Sequence, residues 1–177
     1  MIKKDGQELM MDAEKGHESR LYIRSSTRRY KAASPDEVLE AARTVVGQRM
    51  SRGASFSDPK TAKDFFRDKL SGLQREVFAA AFLDSRHRLI EYAELFYGTI
   101  DGAEVHPREV VRQAIQTNCA AIIVGHNHPS GSVEPSAADR AVTARLKQVL
   151  SLVDVRLLDH IVVGGNQTMA LAERGWV

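Results

Sequence analysis

Apolar positions change their spacing along this chain, and each change marks a new element. Val38, Leu39, Ala42, Val45 and Val46 recur at helical spacing, and Ser34-Pro35-Asp36-Glu37 ahead of them supplies a cap, a proline at the first helical position and acids in the first turn. The pattern predicts a helix to about Met50. Ser51 to Ser57 reads as a connection containing Gly and Ser, and Asp58-Pro59 opens a second helix with Ala62, Phe65, Phe66 and Leu70 on one face and Gly72 at its end. The period then shortens. Val77 to Leu83 is a continuous apolar run, Asp84 to Arg88 is turn-like, and Leu89 to Tyr97 returns with aromatic and branched residues, so a hairpin is predicted. Pro107 starts a third helix with Val110, Val111, Ala114 and Ile115 inward, followed by a short buried strand over Ala120 to Val124. After a loop from His126 to Pro135, Ser136 caps a fourth helix with Val142, Leu146, Val149, Leu150 and Val153 on its core face. Val155 to Val163 and Thr168 to Leu171 close the chain as strands around the Gly164-Gly165-Asn166 turn. Such alternation implies an α/β fold with a mixed sheet flanked by helices.

Length and composition narrow the organisation. With 177 residues, 43% of them hydrophobic, the chain can bury one sizeable core, which points to one domain with an appendage. The expected division is a flexible arm over 1–30, a helical appendage over 31–57 and the main domain over 58–177. The arm is polar and mixed in charge, and it ends in a basic run from Arg24 to Lys31 that reads first as a solvated tail. Twenty-five basic residues against 23 acidic ones leave a formal charge of +2, a weak case for a nucleic-acid partner. A single cysteine, Cys119, excludes an intrachain disulfide framework and reads as a buried thiol. No apolar run approaches the roughly 18 residues of a spanning helix, and the first residues lack the apolar core of a secretory signal. A soluble, cytoplasmic protein without a membrane partner is expected.

The candidate chemistry lies between the third predicted helix and the fourth. His126 and His128 stand in i, i+2 relation on an extended backbone, so their side chains point the same way and can grip one ion. Asp139, three residues past the Ser136 cap, faces them from the first turn of the next helix. Two imidazoles and a carboxylate suit zinc and leave a fourth position open, the mark of a catalytic site. Each piece also has a plain explanation. Ser136 and Asp139 resemble a capping box, which needs no metal. His106 and His160 have no ligand partner at a telling spacing and read as structural, while Arg145 and Lys147 read as a solvated helix face.

Taken together, His126-x-His128-Pro129, six further residues, Ser136, two more and Asp139 resemble the JAMM motif of MPN-domain metalloproteases, without departure from its spacing. Glu76-Val77-Phe78, Phe82-Leu83-Asp84, Val105-His106-Pro107-Arg108-Glu109, His126-Asn127-His128-Pro129-Ser130-Gly131 and Leu158-Asp159-His160 resemble the bacterial RadC branch of that family, over about Pro59 to Val177. Residues 1–50 lack the Gly-x-Gly hairpins of the helix-hairpin-helix segment that full-length RadC proteins carry, so the chain resembles the short form found on mobile elements. The resemblance implies an MPN (JAB, deaminase-like) architecture. It implies Zn2+ held by His126, His128 and Asp139, with Ser136 hydrogen-bonding beside the reacting water or oxyanion. It implies a catalytic glutamate upstream, best matched by Glu76 at the head of a predicted strand; Glu91, Glu94 and Glu104 rank lower, and an ordinary surface carboxylate is the competing reading of Glu76. Hydrolysis of an amide bond in a peptide or protein substrate follows as the expected activity.

Three rivals differ in class. A metal-dependent nuclease or DNA-repair factor is suggested by the RadC resemblance and by the letters His126-Asn127-His128, but in His-Asn-His nucleases those residues are dispersed rather than consecutive. A zinc deaminase needs a Pro-Cys-x-x-Cys pair that Cys119 alone cannot supply. A non-catalytic MPN scaffold would be expected to have lost ligands that are intact here.

Overall fold

The computed structural model describes residues 21–24, 29–49, 53, 55–98 and 104–177. Most of the expected arm, including residues 1–20 and Arg28, lies outside them, as do Met50 and part of the 51–57 connection. The chain divides into units spanning residues 1–42 and 43–177.

In the first unit, β1 (Tyr22–Arg24) and β2 (Tyr30–Ala32) pair antiparallel, so this part of the expected arm is a short ribbon rather than a tail. Two strands of three residues give no sequence period long enough to read. Helix α1 (Pro35–Arg49) begins where the cap signal places it: Ser34 Oγ accepts from Glu37 N–H at 3.2 Å, and Glu37 Oε2 accepts from Ser34 N–H at 2.9 Å. Its described apolar positions do not form a core face, however. Ala42 and Val45 are exposed, and no described side chain of the helix is fully buried.

The second unit is built on five strands in the order β4-β3-β5-β6-β7. They are β3 (Val77–Leu83), β4 (Leu89–Tyr97), β5 (Ala121–Asn127), β6 (Arg156–Gly164) and β7 (Gln167–Ala170). β5 and β6 run parallel and the remaining pairs antiparallel, which makes the sheet mixed. Helices α2 (Pro59–Leu70), α3 (Pro107–Thr117) and α4 (Ala137–Ser151) cover it. Period-2 alternation divides the core between the two faces. Val77, Ala79, Ala81 and Leu83 of β3 join Phe65, Phe66 and Leu70 of α2, whereas Phe78, Ala80 and Phe82 join Val110 and Ala114 of α3 and Leu146 and Leu150 of α4. Both faces being covered, every residue of β3 and β5 is buried, which explains why β3 reads as a continuous apolar run.

Local chemistry fixes the ends of these helices. Asp58 Oδ1 accepts from Thr61 N–H at 2.9 Å to start α2, and Asn118 closes α3 in the left-handed region at φ 52°. Some expected inward positions stand out as less buried: Ile115 on α3 is 61% exposed, and Val142 and Val149 on α4 are only partly covered, the buried face of that helix being Thr143, Leu146 and Leu150. Strand β5 runs three residues beyond the expected Val124, so His126 lies within the sheet rather than in the loop. Among the described residues no helix is long and apolar enough to cross a membrane.

Candidate metal centre

The register of the sheet brings His126 opposite Phe78 on β3 and Val162 on β6, with Val124 opposite His160. His126 faces the α3 and α4 side, 1% exposed, its ring parallel to Phe78 at 6.3 Å between centroids. The preceding residue, Gly125, faces α2. A Cβ there would clash with the Phe66 ring, whose Cε1 and Cγ would lie 2.8 and 2.9 Å away. Glycine lets α2 press on β5 beside the first histidine.

Past the strand, His128 N–H donates to Val163 O at 2.8 Å, and His128 Nδ1 lies 2.9 Å from Ser132 O. A carbonyl only accepts, so Nδ1 carries the proton and Nε2 is the free nitrogen. Gly164 makes this possible: a Cβ at that position would lie 2.7 Å from Ser132 O, so only a bare backbone lets the loop settle there.

Asp139 completes the set. Its Oδ1 is 3.2 Å from His126 Nε2, its Oδ2 is 3.6 Å from His128 Nε2, and the two ring nitrogens are 2.9 Å apart. One ligand atom from each residue lies within 4.8 Å of the others, so the group could hold a metal ion. The chemistry of the donor set, two neutral imidazoles and one carboxylate, fits such an ion with a further position open. The capping box is also real. Ser136 N–H and Oγ–H donate to Asp139 Oδ2 at 2.6 and 2.7 Å, and Asp139 N–H donates to Ser136 Oγ at 3.1 Å. The cap and the ligand set are thus one structure: the cap aims the carboxylate. Burial by itself would raise the pKa of Asp139, but the adjoining His126 and His128 rings and the Ser136 hydroxyl hold it far below the ordinary carboxylate range. His128 is raised in turn, chiefly by the facing Asp139 carboxylate.

Behind the ligands lies a buried polar line. His126 Nδ1 is 2.8 Å from His160 Nε2, His160 Nδ1 is 2.6 Å from Thr143 Oγ1, and Thr143 Oγ1 donates to Asp139 O at 2.5 Å. His160 and Thr143 are fully buried, and burial pushes the His160 pKa well below its ordinary value. Sequence reasoning gives His160 a structural role and passes over Thr143. A threonine at an otherwise apolar helix position, α4 residue 143, was the one signal available.

Glu76 immediately precedes β3 and is half-buried, and its charge contributes to raising the pKa of His128. The backbone around it is held by Asn127. Asn127 Oδ1 accepts from Val77 N–H at 2.8 Å, and Asn127 Nδ2 donates to Arg75 O at 3.0 Å. Gly98 N–H donates to Glu76 O at 2.9 Å. The competing glutamates are engaged elsewhere: Glu91 accepts from Gln113 Nε2 at 2.7 Å, Glu94 from Tyr97 Oη at 3.1 Å, and Glu104 is exposed beside His106. Cys119 is buried, as its apolar setting suggests, and burial raises its thiol pKa.

A family profile described as a RadC-like JAB domain matches residues 56–176. A UPF0758 protein of Xanthomonas campestris pv. campestris (strain 8004) is 58% identical over 139 residues, which are 78% of this chain and 62% of that protein. A UPF0758 protein of Xanthomonas oryzae pv. oryzae (strain PXO99A) is 56% identical over the same shares. One from Vibrio cholerae serotype O1 is 53% identical over 140 residues, 79% of this chain and 88% of that protein. The match to the Xanthomonas relatives spans about three-fifths of their length. From the matched span and these identities, the chain belongs to the RadC-like JAB domain family.

Proposed function

We propose that this chain is a zinc-dependent hydrolase that cleaves an amide bond in a peptide or protein. The observation that carries the reading is the convergence of His126 Nε2, His128 Nε2 and the Asp139 carboxylate, with half-buried Glu76 just ahead of β3 and close enough for its charge to raise the pKa of His128. Zinc, when bound, supplies a Lewis acid and lowers the pKa of water toward neutrality.

The residues divide the remaining work. Glu76 is the general base, taking a proton from the attacking water and later passing it to the amine that leaves. One carboxylate in both roles suits an amide, whose nitrogen must be protonated to depart. The Asn127 bonds on either side hold the Glu76 backbone to β5, so its place relative to His128 is set by the sheet. Ser136 keeps Asp139 aimed by donating its N–H and hydroxyl proton to Oδ2, and turning that hydroxyl away from the carboxylate would let it donate to an oxyanion instead. Beside His128 opens a cavity of about 150 Å³ lined by Leu70, Ser71, Leu73, Asn127 and Ser130 among others.

The reading is tested by incubating the zinc-loaded chain with a panel of fluorogenic peptides and isopeptide-linked dipeptides. Glu76→Gln should retain zinc and lose about 10²–10⁴-fold in turnover, the usual contribution of a general base. No cleavage by the wild type across the panel would sink the hydrolase assignment, and full turnover by Glu76→Gln would remove Glu76 from its role.

A further inference from the structure

We infer that Thr143 and His160 are positioning residues that set the ring tautomer of His126, presenting its Nε2 lone pair to the metal. The inference rests on the zinc reading above, but its geometry is independent of catalysis.

Proton counting along the buried line gives its polarity. The Thr143 hydroxyl has one proton, and at 2.5 Å from Asp139 O that proton goes to the carbonyl, which has none to give. The Thr143 oxygen can then only accept, so His160 carries its proton on Nδ1, 2.6 Å away. A neutral ring with Nδ1–H has a bare Nε2. That nitrogen accepts from His126 Nδ1–H at 2.8 Å, which leaves the His126 Nε2 lone pair directed at His128 and Asp139. The opposite polarity would require Thr143 to abandon the Asp139 carbonyl and would place a proton on His126 Nε2, where the metal belongs.

The line also closes on itself. It starts at the backbone carbonyl of one ligand, Asp139, and ends on the ring of another, His126, so the N-terminal turn of α4 and the end of β5 are held in one geometry. Phe78 lies against both rings, 6.3 Å from His126 and 5.5 Å from His160 between centroids, and forms an apolar wall on this line. His128 reaches the same tautomer by a shorter route, through the Ser132 carbonyl. One ligand is set by the loop and the other by the helix.

The test uses the full chain and two readouts. Zinc affinity is measured by chelator competition for wild type, Thr143→Val and Thr143→Ser, with thermal melts of the zinc-free proteins alongside. Outer-shell partners of metal-ligating histidines typically contribute about 10–100-fold in affinity, so Thr143→Val should bind zinc that much more weakly while Thr143→Ser restores binding. The second readout is the nitrogen-15 NMR tautomer of His126 and His160 in zinc-free wild type at pH 8, expected as Nδ1–H for both rings. Wild-type zinc affinity in folded Thr143→Val would overturn the inference, as would a proton on His126 Nε2 in the wild type. If the wild type binds no zinc at all, the metal reading fails, while the NMR assignment still decides the tautomer.

Discussion

At the scale of single residues, His128 faces the Asp139 carboxylate across the centre, and the acid-base behaviour of the metal-free protein follows from that. His128 has a pKa raised above its ordinary 6.5, with the facing Asp139 carboxylate as main cause. A group that holds its proton more tightly when folded contributes stability below its unfolded pKa and loses it as pH rises through the folded one. The zinc-free protein should therefore lose thermal stability as pH climbs from 6.5 through the raised pKa of His128, and Asp139→Ala should flatten this part of the profile. A melting temperature for the zinc-free wild type that rises over this window would contradict the pairing. Zinc affinity should move the opposite way, since the ion must displace the His128 proton. The candidate metal group was legible because spacing carries it: two histidines on extended backbone and an aspartate in the next helical turn form a group that could hold an ion. Thr143, His160 and Asn127 were not. Their partners are 17, 34 and about 50 residues away in sequence, so no local spacing announces them.

Among the elements, β5 and α2 bear most directly on the centre. Phe66 packs on Gly125, one residue before His126, within an edge-to-face cluster that includes Phe65 and Tyr92. A methyl added there has nowhere to go, because the ring it meets is itself fully buried. Gly125→Ala should cost about 1–3 kcal/mol, the usual range for overpacking a core, read as a lower denaturant midpoint with unchanged slope. A midpoint within error of wild type would show that α2 does not press on the strand. The helices and central strands were readable from period and caps, as the starts of α1, α2 and α4 illustrate. The end of β5 was not. His126 and Asn127 are polar, so hydrophobicity stops at Val124 although the hydrogen-bond ladder continues to Asn127. The ribbon of β1 and β2 escaped for the opposite reason: its three-residue strands are too short to show alternation.

For the whole molecule, the mixed sheet brings three separate stretches of sequence to one place. Glu76 enters at the start of β3, the histidines at the end of β5, and Asp139 from the turn that starts α4. Antiparallel pairing of β3 with β5 sets the first two side by side, and the crossover through α4 returns the chain to β6, where His160 backs the cluster. The proposed hydrolytic role needs these parts held rigidly, and each is tied to sheet or helix cap rather than to a free loop. Thr143 and His160 extend the same logic behind the ligands, joining α4 to β5 through side chains alone.

The most direct measurement is the metal content, by mass spectrometry, of protein expressed with ample zinc and never exposed to chelator. Wild type and Glu76→Gln should each hold about one zinc per chain, as expected for a site of three protein ligands with an open position, and His126→Ala and Asp139→Ala should hold almost none. A wild type without bound metal would reduce the His126, His128 and Asp139 cluster to a helix cap and a turn, and the hydrolase reading would fall with it.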